Sequence, residues 1–364
     1  MRSAVQQIPA YVPGARPGSG AEVHKLSSNE NPFPPLPSVR EAVVRAAADL
    51  NRYPDMFATE LGEVLAAKHG VGPDSIVAGC GSVAVLGHVL QAFCDAGDEV
   101  VYAWRSFEAY PILVRLQGAV PVQVPLDADG RHDLPAMARA VTDRTRVVMV
   151  CSPNNPTGPA VHHQELVAFL AAVPAHVLVV LDEAYVEFVR HDDAVDSAAV
   201  LAAHPNVVLL RTFSKAYGLA ALRVGYAVTH PDLARAIRTA STPFGVNHLA
   251  QVAALASLQP GAQAELTARV DAVVAERRRL VASLREQGWS VPDSEANFVW
   301  LPTGARTLDL ARAAAERGLL VRPFADEGLR ISVGMPDAND RVLETTADWA
   351  ADTESTVEAP PLTR

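Results

Sequence analysis

Between residue 57 and about residue 250 the chain alternates short apolar runs with longer segments whose apolar residues recur three and four apart. The runs are Glu99–Tyr102, Val120–Val124, Val147–Cys151, Val177–Leu181, Val207–Leu210 and Val224–Val228, most of them dominated by Val and Leu. Strands apolar on both faces and separated by helical segments, such as Leu61–His69 and Val83–Ala96, predict an α/β fold with a mostly parallel sheet covered on both sides. Ligand sites in such sheets gather at the carboxyl ends of the strands.

The pattern changes at both ends. Residues 1–35 are rich in Pro and Gly and read as an extended arm, able to lie across another subunit or over a cleft. A helix is expected from Pro37 to Leu50, broken by Asn51-Arg52-Tyr53-Pro54-Asp55 and assignable to either lobe. Residues 36–250 form the large domain and 251–351 a smaller α/β domain. The smaller one carries a long amphipathic helix over about 262–287, strands at Phe298–Leu301 and Leu329–Val333, and a helix at Thr307–Arg317. The polar, Pro-containing segment 352–364 is expected to be disordered.

Composition narrows the function classes. A chain of 364 residues with 49% hydrophobic and 20% charged residues suits a globular enzyme of two lobes. A net charge of −10 argues against nucleic acid or an anionic membrane as the main partner. Cys80, Cys94 and Cys151 are odd in number and lack CxxC spacing, so neither a disulfide framework nor a metal site is indicated, and a reducing cytoplasm is expected. The N-terminus has no apolar signal core, and the longest apolar candidate, Phe169–Leu181, is broken by Pro174 and His176.

Candidate chemistry sits where the strands are predicted to end. Of 31 basic residues only Lys25, Lys68 and Lys215 are lysines. Where Arg is so favoured, a retained Lys suggests a need for an amine that can lose its proton. Lys215 follows an apolar run, beside Thr212 and Ser214 and eight residues before Arg223, which suggests a Schiff base to pyridoxal phosphate; a surface lysine near a helix start has the same local pattern. Asp182 closes the run Val177–Leu181. It either caps the next helix or meets a cation such as a protonated pyridine nitrogen, and Tyr185 lies three residues on. Ser152-Pro153-Asn154-Asn155-Pro156-Thr157-Gly158 is a Pro-stiffened turn that presents an amide. Gly79-Cys80-Gly81-Ser82-Val83 opens a helix, as a phosphate cradle or as a plain turn with Ser82 as its cap.

Taken together, the Gly-Ser turn, Asn-Pro-Thr-Gly, Asp-x-x-Tyr, Ser-Lys and the Arg eight residues beyond the Lys resemble a fold-type I, pyridoxal-phosphate-dependent aminotransferase. Ser28-Asn29-Glu30-Asn31-Pro32-Phe33, Asn51-Arg52-Tyr53-Pro54 and Gly328-Leu329-Arg330-Ile331-Ser332-Val333-Gly334 extend the likeness to nearly the whole chain and to the histidinol-phosphate aminotransferase subfamily with its aromatic relatives. The resemblance implies a seven-stranded sheet and pyridoxal phosphate as cofactor. Lys215 would form the Schiff base and move the proton, Asp182 would pair with the pyridinium, and Asn155 and Tyr185 would contact the phenolic oxygen. Phe107 would stack on the ring. Ser82, the Val83 amide, Thr212, Ser214 and Arg223 would hold the phosphate, and Tyr53 would reach it from the neighbouring subunit of a homodimer. Arg330 would clamp the substrate carboxylate.

The choice of amino donor turns on departures within that subfamily. Val83-Ala84 stands where histidinol-phosphate enzymes usually carry acidic or amide residues. Ile8-Pro9-Ala10-Tyr11-Val12-Pro13-Gly14 and Trp104-Arg105-Ser106-Phe107-Glu108 are similar to the actinobacterial aromatic amino acid (phenylalanine) aminotransferases. A pocket of Tyr11, Phe33 and Tyr110 would suit a phenyl ring, whereas Arg322 matches an arginine of the phosphate-binding branch. The expectation is transamination of Phe, Tyr or Trp with 2-oxoglutarate by a ping-pong mechanism, with histidinol phosphate as the alternative donor.

Overall fold

The computed structural model describes residues 3–6, 8 and 23–355. In chain order the strands are β1 (His24–Lys25), β2 (Ile76–Gly79), β3 (Glu99–Trp104), β4 (Val120–Pro125), β5 (Thr145–Cys151), β6 (Leu178–Asp182), β7 (Val207–Thr212) and β8 (Gly225–Thr229). They continue with β9 (Phe298–Leu301), β10 (Leu319–Leu320), β11 (Arg322–Phe324) and β12 (Gly328–Ser332). Seven of them form one sheet in the order β2-β8-β7-β6-β5-β3-β4. From β7 through β4 every pairing is parallel, while β8 runs antiparallel to both β7 and β2.

The Val-rich runs are strands because both their faces are buried. Successive side chains point to opposite sides of a sheet, and the two sides here feed two separate cores. Val148, Val150, Val179, Leu181, Val207 and Leu209 pack into one core with Leu166 and Phe169 of helix His163–Ala172 and with Leu266, Val270 and Val273 of the long helix Pro260–Glu286. Val147, Met149, Leu178, Val180, Val208 and Leu210 pack into the other, against Val85, Leu86, Val89 and Leu90 of helix Ser82–Phe93. At the edge, β4 carries Pro121 and Pro125, positions where a missing N–H costs the ladder little.

The smaller lobe holds an antiparallel sheet in the order β11-β12-β9 and three helices, Pro260–Glu286, Thr307–Glu316 and Pro336–Ser355. Arg277 of the long helix is 2% exposed and donates to the carbonyls of Phe188 and Ala296, stitching the lobes together.

Several expectations are corrected. Part of the supposed free arm is packed: β1 pairs in parallel with β10, and Ser27 and Asn29 are buried. The boundary placed at residue 251 falls inside helix His248–Ser257, which packs on helix Pro37–Ala46. The helix expected to reach Ala96 stops at Phe93, where Cys94 turns extended. The last helix runs to Ser355, into the segment expected to be disordered; residues 356–364 lie outside the described residues. The short strands β1, β2, β10 and β11 carry too few residues to show a period. Among the described residues no helix is long and apolar enough to cross a membrane.

One backbone contact locks the sheet to the turn above it. A Cβ on Gly225, the first residue of β8, would overlap the Ser82 amide nitrogen and lie 2.9 Å from the Arg211 carbonyl oxygen. Both obstacles are main chain and cannot swing away. Gly225→Ala is therefore expected to cost about 1–3 kcal/mol through forced backbone shifts, measured as a lowered unfolding midpoint in denaturant; an unchanged midpoint would contradict this packing.

Candidate active site

Strands β5, β6 and β7 end nearly level, with Cys151 paired to Asp182 and Asp182 to Leu210. The chain therefore delivers the Asn154–Asn155 turn, Asp182 and the Thr212–Lys215 segment to one edge of the sheet. There they line a cavity of about 550 Å³. Lys215, Asp182, Tyr185, Asn155, Phe107, Ser82, Val83, Thr212, Ser214, Arg223, Arg322 and Arg330 all contribute to its wall. It opens where the chain, having made β3 and the edge strand β4, returns to build β5 on the far side of β3, the kind of reversal point that forms crevices in α/β sheets.

Lys215 Nζ lies 3.3 Å from each of the Ser28 and Asn29 carbonyl oxygens. Burial, and then the charge of Arg330, push its ammonium down to about 7; Arg223 acts in the same direction, against Glu30 and Asp182. A neutral amine is thus accessible near neutral pH, which a nucleophilic lysine requires. Asp182 is 5% exposed, and burial pushes its carboxyl up to about 6. Its Oδ2 accepts from the Tyr110 hydroxyl at 2.8 Å, while its Oδ1 is buried with no hydrogen-bond partner.

Around these two groups the polar side chains form one network. Arg330 donates to Asn155 Oδ1 at 2.6 Å and to the Ser27 carbonyl at 2.8 Å. The Tyr185 hydroxyl accepts from Asn155 Nδ2 at 3.3 Å and from Asn29 Nδ2 at 3.0 Å. On the other side, Arg223 takes a left-handed φ of 57° and donates to Ser214 Oγ at 3.3 Å. A Cβ on Gly81 would sit 2.5 Å from Arg223 Nη2, so glycine there lets the guanidinium lie across the start of helix Ser82–Phe93. Amides at a helix start, the hydroxyls of Ser82, Thr212 and Ser214 and the Arg223 guanidinium together suit a dianion.

Among the described residues, Phe33 and Tyr110 do not line this cavity, nor does Tyr53, which was expected to serve the neighbouring subunit's site. Tyr53 is 83% exposed and stacks at 4.8 Å on Phe244, outside the cavity. Phe33 packs against the large core with the Arg269 guanidinium 5.4 Å from its ring, and does not line the cavity. Tyr11 lies outside the described residues. Tyr110, expected in a substrate pocket, is instead fully buried behind the cavity, with its hydroxyl on Asp182 and its ring edge-on to Phe107. Sequence reasoning also gave no role to Asn29, Ser27 and Glu30, which line the site. Ser28–Phe33 marked the segment, but nothing local showed that it folds back from the small lobe.

Peptide-resolved labelling of the cofactor-free chain with an amine-directed reagent should give Lys215 a reactivity midpoint near pH 7, with the reactive neutral form above it. Arg330→Ala removes a cation and should move that midpoint upward. A midpoint in the ordinary range of about 10 would contradict the electrostatic account.

The comparisons with known proteins agree with this geometry. The family model for class I and II aminotransferases matches residues 21–345. An aromatic amino acid aminotransferase of Streptomyces avermitilis is 54% identical over 347 residues, covering 95% of this chain and 96% of the relative. One of Thermobifida fusca is 56% identical over 344 residues, covering 94% and 95%. Among solved structures, histidinol-phosphate aminotransferase from Sinorhizobium meliloti in complex with pyridoxal-5'-phosphate superposes with a TM-score of 0.84 at 30% identity, covering 98% of each chain. A tetra mutant of Thermus thermophilus aspartate aminotransferase gives 0.83 at 26%, covering 96% of this chain and 99% of the other. With a family model spanning most of its length and relatives above half identity, this chain belongs to the class I and II aminotransferase family.

Proposed function

We propose that the chain transfers an amino group between an aromatic amino acid (Phe, Tyr or Trp) and 2-oxoglutarate in a ping-pong cycle, with pyridoxal phosphate as cofactor. The observation that carries this reading is the meeting of Lys215, Asp182 and Arg330 in one cavity.

The residues fit the cofactor. Asp182 Oδ1, buried and without a partner, is an acceptor that a pyridinium N–H would satisfy. Ser82, the Val83 amide, Thr212, Ser214 and Arg223 suit its phosphate, and side chains at Gly81 or Gly225 would crowd that corner. Phe107 offers a ring face, and Asn155 and Tyr185 offer polar contacts to the phenolic oxygen. When bound, pyridoxal phosphate supplies an electron sink for the charge left at the substrate Cα.

The chain's own residues then have separable tasks. Lys215 Nζ, whose neutral form is accessible near pH 7, is the nucleophile and afterwards carries the proton removed from Cα. Asp182 stays charged against a cation and is held on one side by Tyr110; a charge-assisted bond of this kind contributes about 1.5–3 kcal/mol. Arg330, buried and already presenting its guanidinium to the cavity, orients the substrate carboxylate.

Val83, Phe107, Ile112 and Leu113 give the wall an apolar part suited to an aromatic side chain, and the names carried by the relatives above half identity support the same donor. Arg322 in the cavity favours a second reading, histidinol phosphate as donor. Its guanidinium is ion-paired with Glu108, which weighs against a phosphate there. Exposed Tyr53, Met56, Phe57 and Phe244 form an apolar surface suited to a second copy, from which Tyr53 would reach the neighbouring phosphate site. The free thiols of Cys80, Cys94 and Cys151 fit a reducing cytoplasm.

A single-turnover spectrum separates the two donors. Holoenzyme mixed with Phe should convert the cofactor absorbance faster than holoenzyme mixed with histidinol phosphate. The reverse order would overturn the aromatic reading.

A further inference from the structure

Two arginines face the same cavity from directly paired positions, Arg322 on β11 and Arg330 on β12. Both are nearly buried, at 5% and 7% exposure. Their acceptors differ in charge. Arg330 donates to the neutral Asn155 amide oxygen and Ser27 carbonyl. Arg322 Nη2 donates to both carboxylate oxygens of Glu108, at 3.0 and 2.8 Å.

We propose that Glu108 is a specificity-determining residue: an internal competitor that occupies Arg322 and so biases the side-chain end of the cavity toward neutral substrates. This rests on the aminotransferase reading given above. The physical argument concerns charge. A buried guanidinium facing a cavity attracts any anionic group that reaches it, a carboxylate or a phosphate alike. With Glu108 in place, such a group must displace a carboxylate already bound, or approach within range of its negative charge, and both are unfavourable in a poorly hydrated site. A neutral ring meets no such opposition.

The position of Glu108 makes the device adjustable. It follows Phe107 directly, and its side chain is 27% exposed whereas that of Arg322 is 6% exposed. The acid is therefore the partner with access to solvent and the one able to swing out. A dicarboxylate such as 2-oxoglutarate would bind its distal carboxylate at Arg322 only after moving Glu108 aside. One site thus accepts both substrate classes of the ping-pong cycle while holding down its affinity for anions.

The test compares kcat/KM of wild-type, Glu108→Gln and Glu108→Gln/Arg322→Gln holoenzymes for Phe, glutamate and histidinol phosphate. Glu108→Gln keeps the side-chain shape and an amide oxygen for Arg322 but removes the charge. The ratio of anionic donor to Phe should rise about tenfold or more in Glu108→Gln and fall back in the double variant, where the charge of Arg322 is gone. A ratio that stays at the wild-type value in a Glu108→Gln enzyme with normal bound-cofactor absorbance would overturn the proposal. So would a rise that persists in the double variant. If Glu108→Gln does not fold, Arg322→Gln alone decides: the ratio should fall, and an unchanged ratio overturns the proposal. Failure of wild-type enzyme to accept Phe at all would instead strike the aromatic reading itself, a separate outcome.

Discussion

Burying an amine and a carboxylate at the ends of neighbouring strands is the constraint around which this molecule is arranged. Each group alone resists burial. Burial drives their acidities toward each other, to about 7 for Lys215 and about 6 for Asp182, so that both protonation states of each lie within reach of neutral pH. The sheet makes this possible: two apolar cores, one on each face, fix the strand ends, and level termini of β5, β6 and β7 bring their loops to the same edge. The small lobe completes the site by contributing two of the three cavity arginines, 322 and 330.

Much of this was legible in the chain because the signals were local. Strands β5 and β7 are runs long enough to read without ambiguity, and Asp182 and Lys215 each sit just beyond such a run. What stayed hidden was long-range. Tyr110 looks like one more aromatic near Phe107, and only the fold shows its hydroxyl on Asp182, 72 residues away in sequence. Asn29 and Ser27 lie in a Pro- and Gly-rich region that reads as free chain until β1 pairs with β10. The resemblance places Phe33 near the substrate, but its ring packs against the core and Arg269. Partners separated by hundreds of residues leave no period to count.

The distribution of charge within the cavity follows the same logic. One end gathers a helix start, the hydroxyls of Ser82, Thr212 and Ser214, and Arg223, a setting for a dianion. Another presents Arg330 through neutral acceptors, and beside it Arg322 carries its own counter-ion. Arg330 and Arg223 depress the Lys215 ammonium, while Glu30 and Asp182 oppose them.

The central claim is that Lys215 is the residue that bonds the cofactor, and a chain with only three lysines allows a direct check. Holoenzyme reduced with borohydride, digested and mapped by mass spectrometry should carry the pyridoxyl mass on the peptide containing Lys215 alone. Label on Lys25 or Lys68, or no label at all, would contradict the account.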